Sequence, residues 1–188
     1  NTKMPEIGEL VCKRLLMQFK KAFKRSDKLI CLATSKLIAH LTNQSVLHEL
    51  VALQLLTLLL EKPTDDSVEL AVEFVKEVGA CLNQITPLGM RGIFDRLRSI
   101  LNEGESIGLR VSVHIQTLFA IRQTNFKDFP SIPPELDLVE LEDQITHELS
   151  LEEDYDVELG LNVFKYDPQY EENEAAYGEI KKEILGDD

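Results

Sequence analysis

Residues 46–60 read VLHELVALQLLTLLL and are apolar nearly all the way round a helix. A helix with so little polar surface must be covered on several sides in a soluble protein. The run is shorter than the roughly 18 apolar residues of a membrane span, and His48, Glu49 and Gln54 interrupt it. We therefore predict a central core helix, around which the rest of the chain packs.

A tight turn and a second helix follow this central helix. Pro63 ends the first helix, because proline cannot continue the hydrogen-bond ladder. Asp65 and Asp66 restart a helix at once, and Asp66 and Glu69 have the spacing of a capping box. Apolar residues then recur every three or four positions as far as residue 85, which predicts an amphipathic partner helix and hence an αα-hairpin.

Four further helices flank the hairpin. We predict them over residues 6–24, from a Ser26–Asp27 cap to about Leu41, from Pro87 to Gly104, and from Ser106 to about Gln123. The first of these carries apolar residues at steps of four, which we interpret as one inward face: Ile7, Val11, Leu15, Phe19 and Phe23.

These six helices of similar length, joined by short links, predict an all-α protein. The helix pairs begin near residues 6, 45 and 87, a spacing typical of HEAT-like repeats stacked into an α-solenoid. We therefore expect HEAT-like antiparallel helix pairs over residues 1–125. A closed six-helix bundle is the alternative fold.

The pattern changes at residue 126, and we interpret residues 126–188 as an acidic connector and extension of the same domain. Residues 126–137 contain three prolines and predict an extended connector. Alternating apolar and polar residues on both sides of Asp143 and Gln144 predict a short β-hairpin over 138–149. Two short helices are expected near 156–164 and over 172–185. The section has too few apolar residues for a second domain, so we expect it to wrap the solenoid or to dock on another molecule.

The net charge of −13 is unevenly distributed along the chain. Residues 1–60 carry a net charge of +5, residues 61–127 carry −1, and residues 128–188 carry −17 with only three lysines or arginines. A basic beginning and an acidic end indicate either two different partners or one neutralising contact between them. The alternative is that the acidic end only keeps the protein soluble.

The sequence has no recognisable catalytic or metal-binding motif, such as HExxH, CxxC, GxSxG or a phosphate loop. The three cysteines stand singly in apolar helical patterns, which favours buried thiols in a reducing compartment. Asp65 and Asp66 are better explained as helix caps than as a catalytic pair. Residues 1–9 are polar and show no export signal. We expect no enzyme activity, no cofactor, no metal site and no membrane contact.

The most basic stretch is KRLLMQFKKAFKR at residues 13–25. Its phenylalanines fall on the predicted inward face, so no aromatic side chain is left to stack on bases. The remaining cationic face can contact RNA phosphates without reading sequence, and the candidate residues are Lys20, Lys21, Lys24 and Arg25. A plain solvated surface is the alternative.

Several stretches carry a resemblance to a known family: IGELVCKRL (7–15), SDKLICLATSKLIAHL (26–41), LLLEKPTDDSVELAV (58–72), NFKDFP (125–130), LDLVELEDQITHELSLEEDYD (136–156) and LNVFKYDPQYEENE (161–174). The chain resembles the middle domain of eukaryotic initiation factor 4G, a HEAT-type solenoid of translation, mRNA-decay and splicing factors. Within that family it is most similar to pre-mRNA-splicing members, and the resemblance leads us to expect the C-terminal part of the solenoid.

The resemblance implies a non-catalytic scaffold for the DEAD-box ATPase of the exon junction complex. Such a scaffold holds the two RecA-like lobes apart and brings the helicase to other spliceosomal proteins in the nucleus, including its speckles. A translation or mRNA-decay scaffold is the alternative within the family. The expected helicase contacts lie in loops at Lys62, Asp65, Asp66, Asn125, Phe126, Lys127 and Asp128, whose alternative role is that of caps and linkers.

Overall fold

A computed structural model of the chain describes residues 1–104 and 107–186. The α-helices are α1 (Pro5–Lys24), α2 (Lys28–Asn43), α3 (Glu49–Glu61), α4 (Asp65–Ile85), α5 (Pro87–Glu103), α6 (Leu109–Gln123) and α7 (Tyr170–Leu185). Short 3-10 helices span Pro134–Leu136, Leu141–Asp143 and Leu159–Asn162. Ser106, the predicted start of the sixth helix, lies outside the described residues.

The first six helices form three antiparallel pairs stacked in two layers. One layer is α2, α4 and α6, in which α4 touches both neighbours, and the other layer includes α3 packed on α5. Within the described residues, the first pair makes no contact with the third, so the stack is open. The predicted all-α solenoid is confirmed, and the closed bundle is excluded.

The α3–α4 hairpin is the centre of this stack, as predicted. Six of the thirteen residues of α3 are buried, and eleven residues of α4 are buried. The central helix begins later than predicted, at Glu49 instead of residue 46. His48 is its N-cap and accepts a hydrogen bond at Nδ1 from the Leu50 amide at 3.1 Å, while Leu47 packs into the core ahead of the helix.

The turn between α3 and α4 is capped by other residues than predicted. Thr64 is the N-cap of α4, and its hydroxyl accepts from the Ser67 amide while the Ser67 hydroxyl accepts from the Thr64 amide. The capping box is therefore Thr64 with Ser67 and not Asp66 with Glu69. Pro63 keeps Lys62 out of the helical conformation, which leaves Thr64 at the position where a side chain reaches the free amides.

The inward face of α1 is only partly as predicted. Leu15 and Phe19 are buried and Phe23 packs against the core, but Ile7 is 56% exposed and Val11 is 48% exposed. A step of four residues overshoots a 3.6-residue turn by about 40°, so a series of such steps rotates off any fixed face. Cys12 and Leu16 take the buried positions instead.

The predicted β-hairpin at 138–149 is wrong. Leu141–Asp143 is a 3-10 helix, and the described residues contain only one isolated parallel bridge, between Leu47 and His147. In the second half of the stretch the alternation has another cause: from residue 145 the chain runs extended across the helices with one side inward, so that Leu149 is buried while Glu148 is exposed. In the first half, Leu138 and Leu141 are 80% and 84% exposed. Alternation indicates an extended segment with one covered face, and a helix layer can supply that cover.

Beyond this extended segment, both predicted short helices are present, as Leu159–Asn162 and as α7. No residue of either helix is buried. Asp167 supports the start of α7 by accepting from the Gln169 amide and from the Asn173 side chain. Within residues 1–104 and 107–186, no helix combines the length and apolar character that crossing a membrane requires.

Candidate interaction surfaces

The first candidate surface is an edge of the solenoid where the turns of the three helix pairs meet; we call it the tip edge. Lys28 bridges to Asp66 at 2.7 Å and to Glu69 at 2.8 Å, and Arg110 also bridges to Glu69 at 2.8 Å. The amide of Gly108, just before α6, donates to Asp65 Oδ1 at 2.7 Å. The three pairs are thus tied together at this edge by charged groups.

Two of the predicted contact residues therefore have structural roles. Asp65 accepts from the chain entering α6 and Asp66 pairs with α2, while Lys62 is exposed. The hydrogen bond from Lys28 lowers the pKa of Glu69, with further help from the nearby positive charges. Glu69 is therefore ionised at neutral pH and acts as an electrostatic link between α2, α4 and α6.

The second candidate surface is the loop after α6, residues 125–128, which we call the connector edge. Asn125, Lys127 and Asp128 are exposed, but Phe126 is only 2% exposed. Its ring occupies the space beside Gly79, where a Cβ atom would lie 2.4 Å from ring atom Cε1. The choice of Phe126 as a contact residue is corrected: its ring belongs to the core, because Gly79 leaves a space of matching shape.

The structure does not bring the two predicted groups together. Asp65 is the first residue of α4, and Gly79 lies fourteen positions further along that helix. At 1.5 Å per residue, the two edges are separated by about 20 Å along α4. The predicted contact residues therefore form two separate patches at opposite edges of the helix stack.

The third candidate surface is a groove of about 750 Å³ along α1, which we call the cationic groove. Five cationic side chains line it: Arg14, Lys20, Lys21, Lys24 and Arg25. The four residues predicted for phosphate contact are thus brought together, and Arg14 joins them. The opposite wall includes Asp154, Val157, Leu159 and Asn162 from the acidic C-terminal section.

Residues 149–162 cross α1 and α3 and form what we call the strap. The strap contains five acidic residues and no lysine or arginine. Arg14 donates to the Val157 carbonyl at 2.8 Å, the Glu158 carbonyl at 3.0 Å and Asn162 Oδ1 at 3.1 Å. These three acceptors are uncharged oxygens. The sequence predicted either two partners or one neutralising contact, and among the described residues the Lys20–Asp154 ion pair is the contact of the second kind.

Lys20 makes the second polar contact with the strap. Its Nζ donates to Asp154 Oδ1 at 2.5 Å and to the Glu153 carbonyl at 2.8 Å. This hydrogen bond and the lysine charge lower the pKa of Asp154. Lys20 is consequently 16% exposed, whereas Lys21, Lys24 and Arg25 remain exposed along the same helix.

The beginning of the strap is anchored by buried and half-buried groups. Leu149 and Leu151 are 7% and 6% exposed. Gln54 of α3 accepts from the Leu151 amide at 2.8 Å and donates to Ser150 Oγ at 3.0 Å. The Tyr155 hydroxyl accepts from the Ser150 amide at 2.7 Å, and its ring lies under Lys13 Nζ at 5.9 Å from the centroid.

Sequence reasoning missed Arg14, Gln54 and Tyr155, which hold the strap. Two signals pointed to it: the opposite charges of the two ends of the chain, and the alternation of apolar residues as far as Leu151. Neither signal identifies which helix receives the strap, because the partners lie 96 to 148 residues apart in sequence.

The cysteines are buried in the helices, as predicted. Burial raises the pKa of the Cys12 thiol to about 11 and also raises the pKa values of Cys31 and Cys81. These thiols are therefore protonated at neutral pH and poorly nucleophilic. In the part of the chain that the structure describes, no three His, Cys, Asp or Glu side chains are grouped so as to hold a metal ion.

Comparison with known proteins agrees with this architecture. The family model of the MIF4G domain matches residues 1–142. The chain is 57% identical over 185 residues to the pre-mRNA-splicing factor CWC22 homolog of Xenopus laevis, and the alignment covers 98% of this chain and 23% of that protein. The identity to the human homolog is 56% over 185 residues, covering 98% of this chain and 20% of the homolog.

A fungal relative shows the same relationship. The identity to the pre-mRNA-splicing factor cwc22 of Aspergillus fumigatus is 54% over 187 residues, covering 100% of this chain and 21% of that protein. The chain thus spans about a fifth of the length of these curated relatives. Its helix stack, the matched residues and the sequence stretches noted above lead to one conclusion: the chain belongs to the MIF4G domain family.

Proposed function

We propose that this chain is a non-catalytic, protein-binding scaffold segment of a nuclear pre-mRNA-splicing factor. The observation that carries the proposal is identity of 54–57% over nearly the whole chain to proteins named as pre-mRNA-splicing factors. We further propose that it binds the DEAD-box ATPase of the exon junction complex, keeps that ATPase open and inactive, and brings it to other spliceosomal proteins.

The positions of the tip edge and the connector edge support a two-lobed partner. Lys62 is exposed at the first edge, and Asn125, Lys127 and Asp128 are exposed at the second. The edges lie about 20 Å apart on a continuous helix stack, so each can contact a different lobe. A scaffold that binds the open form better than the closed form by about 3 kcal/mol shifts the population roughly 100-fold.

RNA-stimulated ATP hydrolysis by the helicase tests this proposal. We expect increasing amounts of the chain to inhibit hydrolysis and to form a complex detectable by calorimetry. Lys62→Glu and Lys127→Glu should each weaken inhibition, and the double variant should weaken it most. Lys165→Glu is the matched control, because it reverses one exposed charge far along the C-terminal section. Neither a complex nor inhibition with the unaltered chain would overturn the helicase assignment.

The cationic groove favours a second candidate function, which is contact with the RNA backbone. Five cations line this groove and no aromatic side chain is among its lining residues, because Phe19 is buried and Phe23 is stacked on it at 6.0 Å against the core. Such a surface binds phosphates without reading sequence. Lys21→Glu and Lys24→Glu should each lower the salt dependence of RNA affinity, and unchanged RNA affinity in both variants would rule this candidate out.

A further inference from the structure

We propose that the strap is a built-in competitor for polyanions, which occupies part of the cationic groove and must leave before an RNA backbone can use all of it. This inference rests on the RNA-binding candidate above and adds the regulation of that site. Arg14 and Lys20 are the cations concerned, because the strap contacts both of them.

The strap offers these two cations oxygen acceptors, as an RNA backbone would. Arg14 donates to three oxygen atoms of the strap at 2.8–3.1 Å, and Lys20 donates to a carboxylate oxygen and a carbonyl oxygen. Phosphate oxygens satisfy the same donors. The strap and an RNA backbone therefore cannot bind Arg14 and Lys20 at the same time.

The contact is built so that part of the strap can leave while the rest stays. Leu149 and Leu151 are buried, but residues 152–162 include no buried residue. The side chain of Asp154 is 79% exposed, and such exposed ion pairs are weak and are screened by salt. Apart from the half-buried Tyr155 ring, which packs against the core, release uncovers little apolar surface, and it frees two cations beside three that are already exposed.

Gln54 and Tyr155 offer a way to loosen the strap without changing any charge. Gln54 of α3 holds residues 150 and 151. The Tyr155 ring packs against the core, and its hydroxyl accepts from the Ser150 amide within the strap. The variant Gln54→Ala with Tyr155→Ala removes both anchors. We expect faster hydrogen exchange of the strap amides, with the α3 and α4 amides unchanged.

The test is the affinity for a fluorescent oligouridylate, measured by anisotropy over a range of KCl concentrations. In the double variant we expect a rise in affinity of about threefold to tenfold at low salt, because the competing strap is more often released. The slope of log affinity against log salt should steepen by about 1.4, since each newly engaged cation contributes about 0.7 on a single strand.

Asp154→Asn provides a second test that leaves the anchors intact. It should raise the affinity more than Asp137→Asn, a matched loss of one charge at an exposed position before the strap. Equal effects of the two variants would mean that only total charge matters and would overturn the proposal. Unchanged affinity in the double variant with a loosened strap would also overturn it.

The two levels of the proposal fail in different ways. If Lys21→Glu lowers the affinity for oligouridylate but loosening the strap changes nothing, RNA contact is supported and competition by the strap is wrong. If neither the unaltered chain nor the loosened variant binds oligouridylate, both the RNA candidate and the competition are wrong. The proposal on the helicase is independent of either result.

Discussion

The α3–α4 hairpin and the strap are held in place by opposite means. The hairpin is held by apolar burial: Val51, Leu55 and Leu59 are all fully buried. The strap has two buried leucines at its start, and from residue 152 onward it is held by the half-buried Tyr155 ring and by hydrogen bonds and an ion pair at the surface. One segment therefore fixes the fold, while the other can come off without unfolding the rest.

The same contrast, between a segment fixed by burial and one held at the surface, distinguishes two kinds of binding surface. The tip edge is reinforced by ion pairs between α2, α4 and α6, so its shape is fixed by the packed helices. The cationic groove has one wall made by a rigid helix and one wall made by the strap. A partner at the tip edge meets a preformed surface, whereas a partner that uses the whole groove has to displace part of this chain.

The largest loss of stability should come from Leu55→Ala in α3, which tests the role of the hairpin in this comparison. Leu55 is fully buried, and removing its methyl groups should lower the free energy of unfolding by about 2–5 kcal/mol. Denaturant unfolding measures the change, with the exposed Thr57→Ala on the same helix as control. A loss no larger than that of the control would contradict the central position given to the hairpin.

Gly79→Ala should have the next largest effect. A new Cβ atom would lie 2.4 and 2.5 Å from two atoms of the buried Phe126 ring, and overpacking of this kind costs about 1–3 kcal/mol. Gly92→Ala is the matched control in α5, where no atom lies within 4 Å of the new Cβ. It should instead stabilise the protein by about 0.5–1 kcal/mol. Equal effects at the two glycines would show that Phe126 does not pack there.

A smaller effect on the whole protein is expected from Gln54→Ala. The variant removes the acceptor of the Leu151 amide and the donor to Ser150, which should cost about 1 kcal/mol. Amide chemical shifts should change along residues 149–162 and stay constant in α4. Gln18→Ala, an exposed change on α1, is the control. Shift changes that spread through α4 would mean that the strap is part of the core.

Lowering the pH should have the smallest effect on the stability of the strap contact, and the Asp154 carboxyl determines its direction. The hydrogen bond from Lys20 lowers the pKa of this carboxyl. The stabilisation that the ionised Asp154 carboxyl gives to the strap contact is therefore complete above the ordinary aspartate pKa. It is lost as the pH falls through the lowered pKa of the folded state. An NMR titration of the Asp154 carboxyl carbon should give a normal pKa in Lys20→Met. An equally low pKa in that variant would disprove the contact.

The sequence predicts the helices well and the strap poorly, for a physical reason. Helix starts and stops depend on neighbours a few residues away, as at Asp27, which caps α2 as expected. Phe126 shows the limit: a residue after a helix looked available, but Gly79, on another helix, decides its burial. The course of the strap depends in the same way on groups far along the chain, such as Arg14, so that local patterns reveal only its extended form.

Amide hydrogen exchange tests most directly the claim that the strap is a separate, releasable layer. The Leu161 amide, which donates to the Glu158 carbonyl at 3.0 Å in the releasable part of the strap, should exchange by a local opening whose free energy lies well below that of global unfolding. The Leu55 amide in α3 should exchange only through global unfolding. If the two amides exchange with the same free energy, and that value equals the global one, the strap is an integral part of the core and the account is wrong.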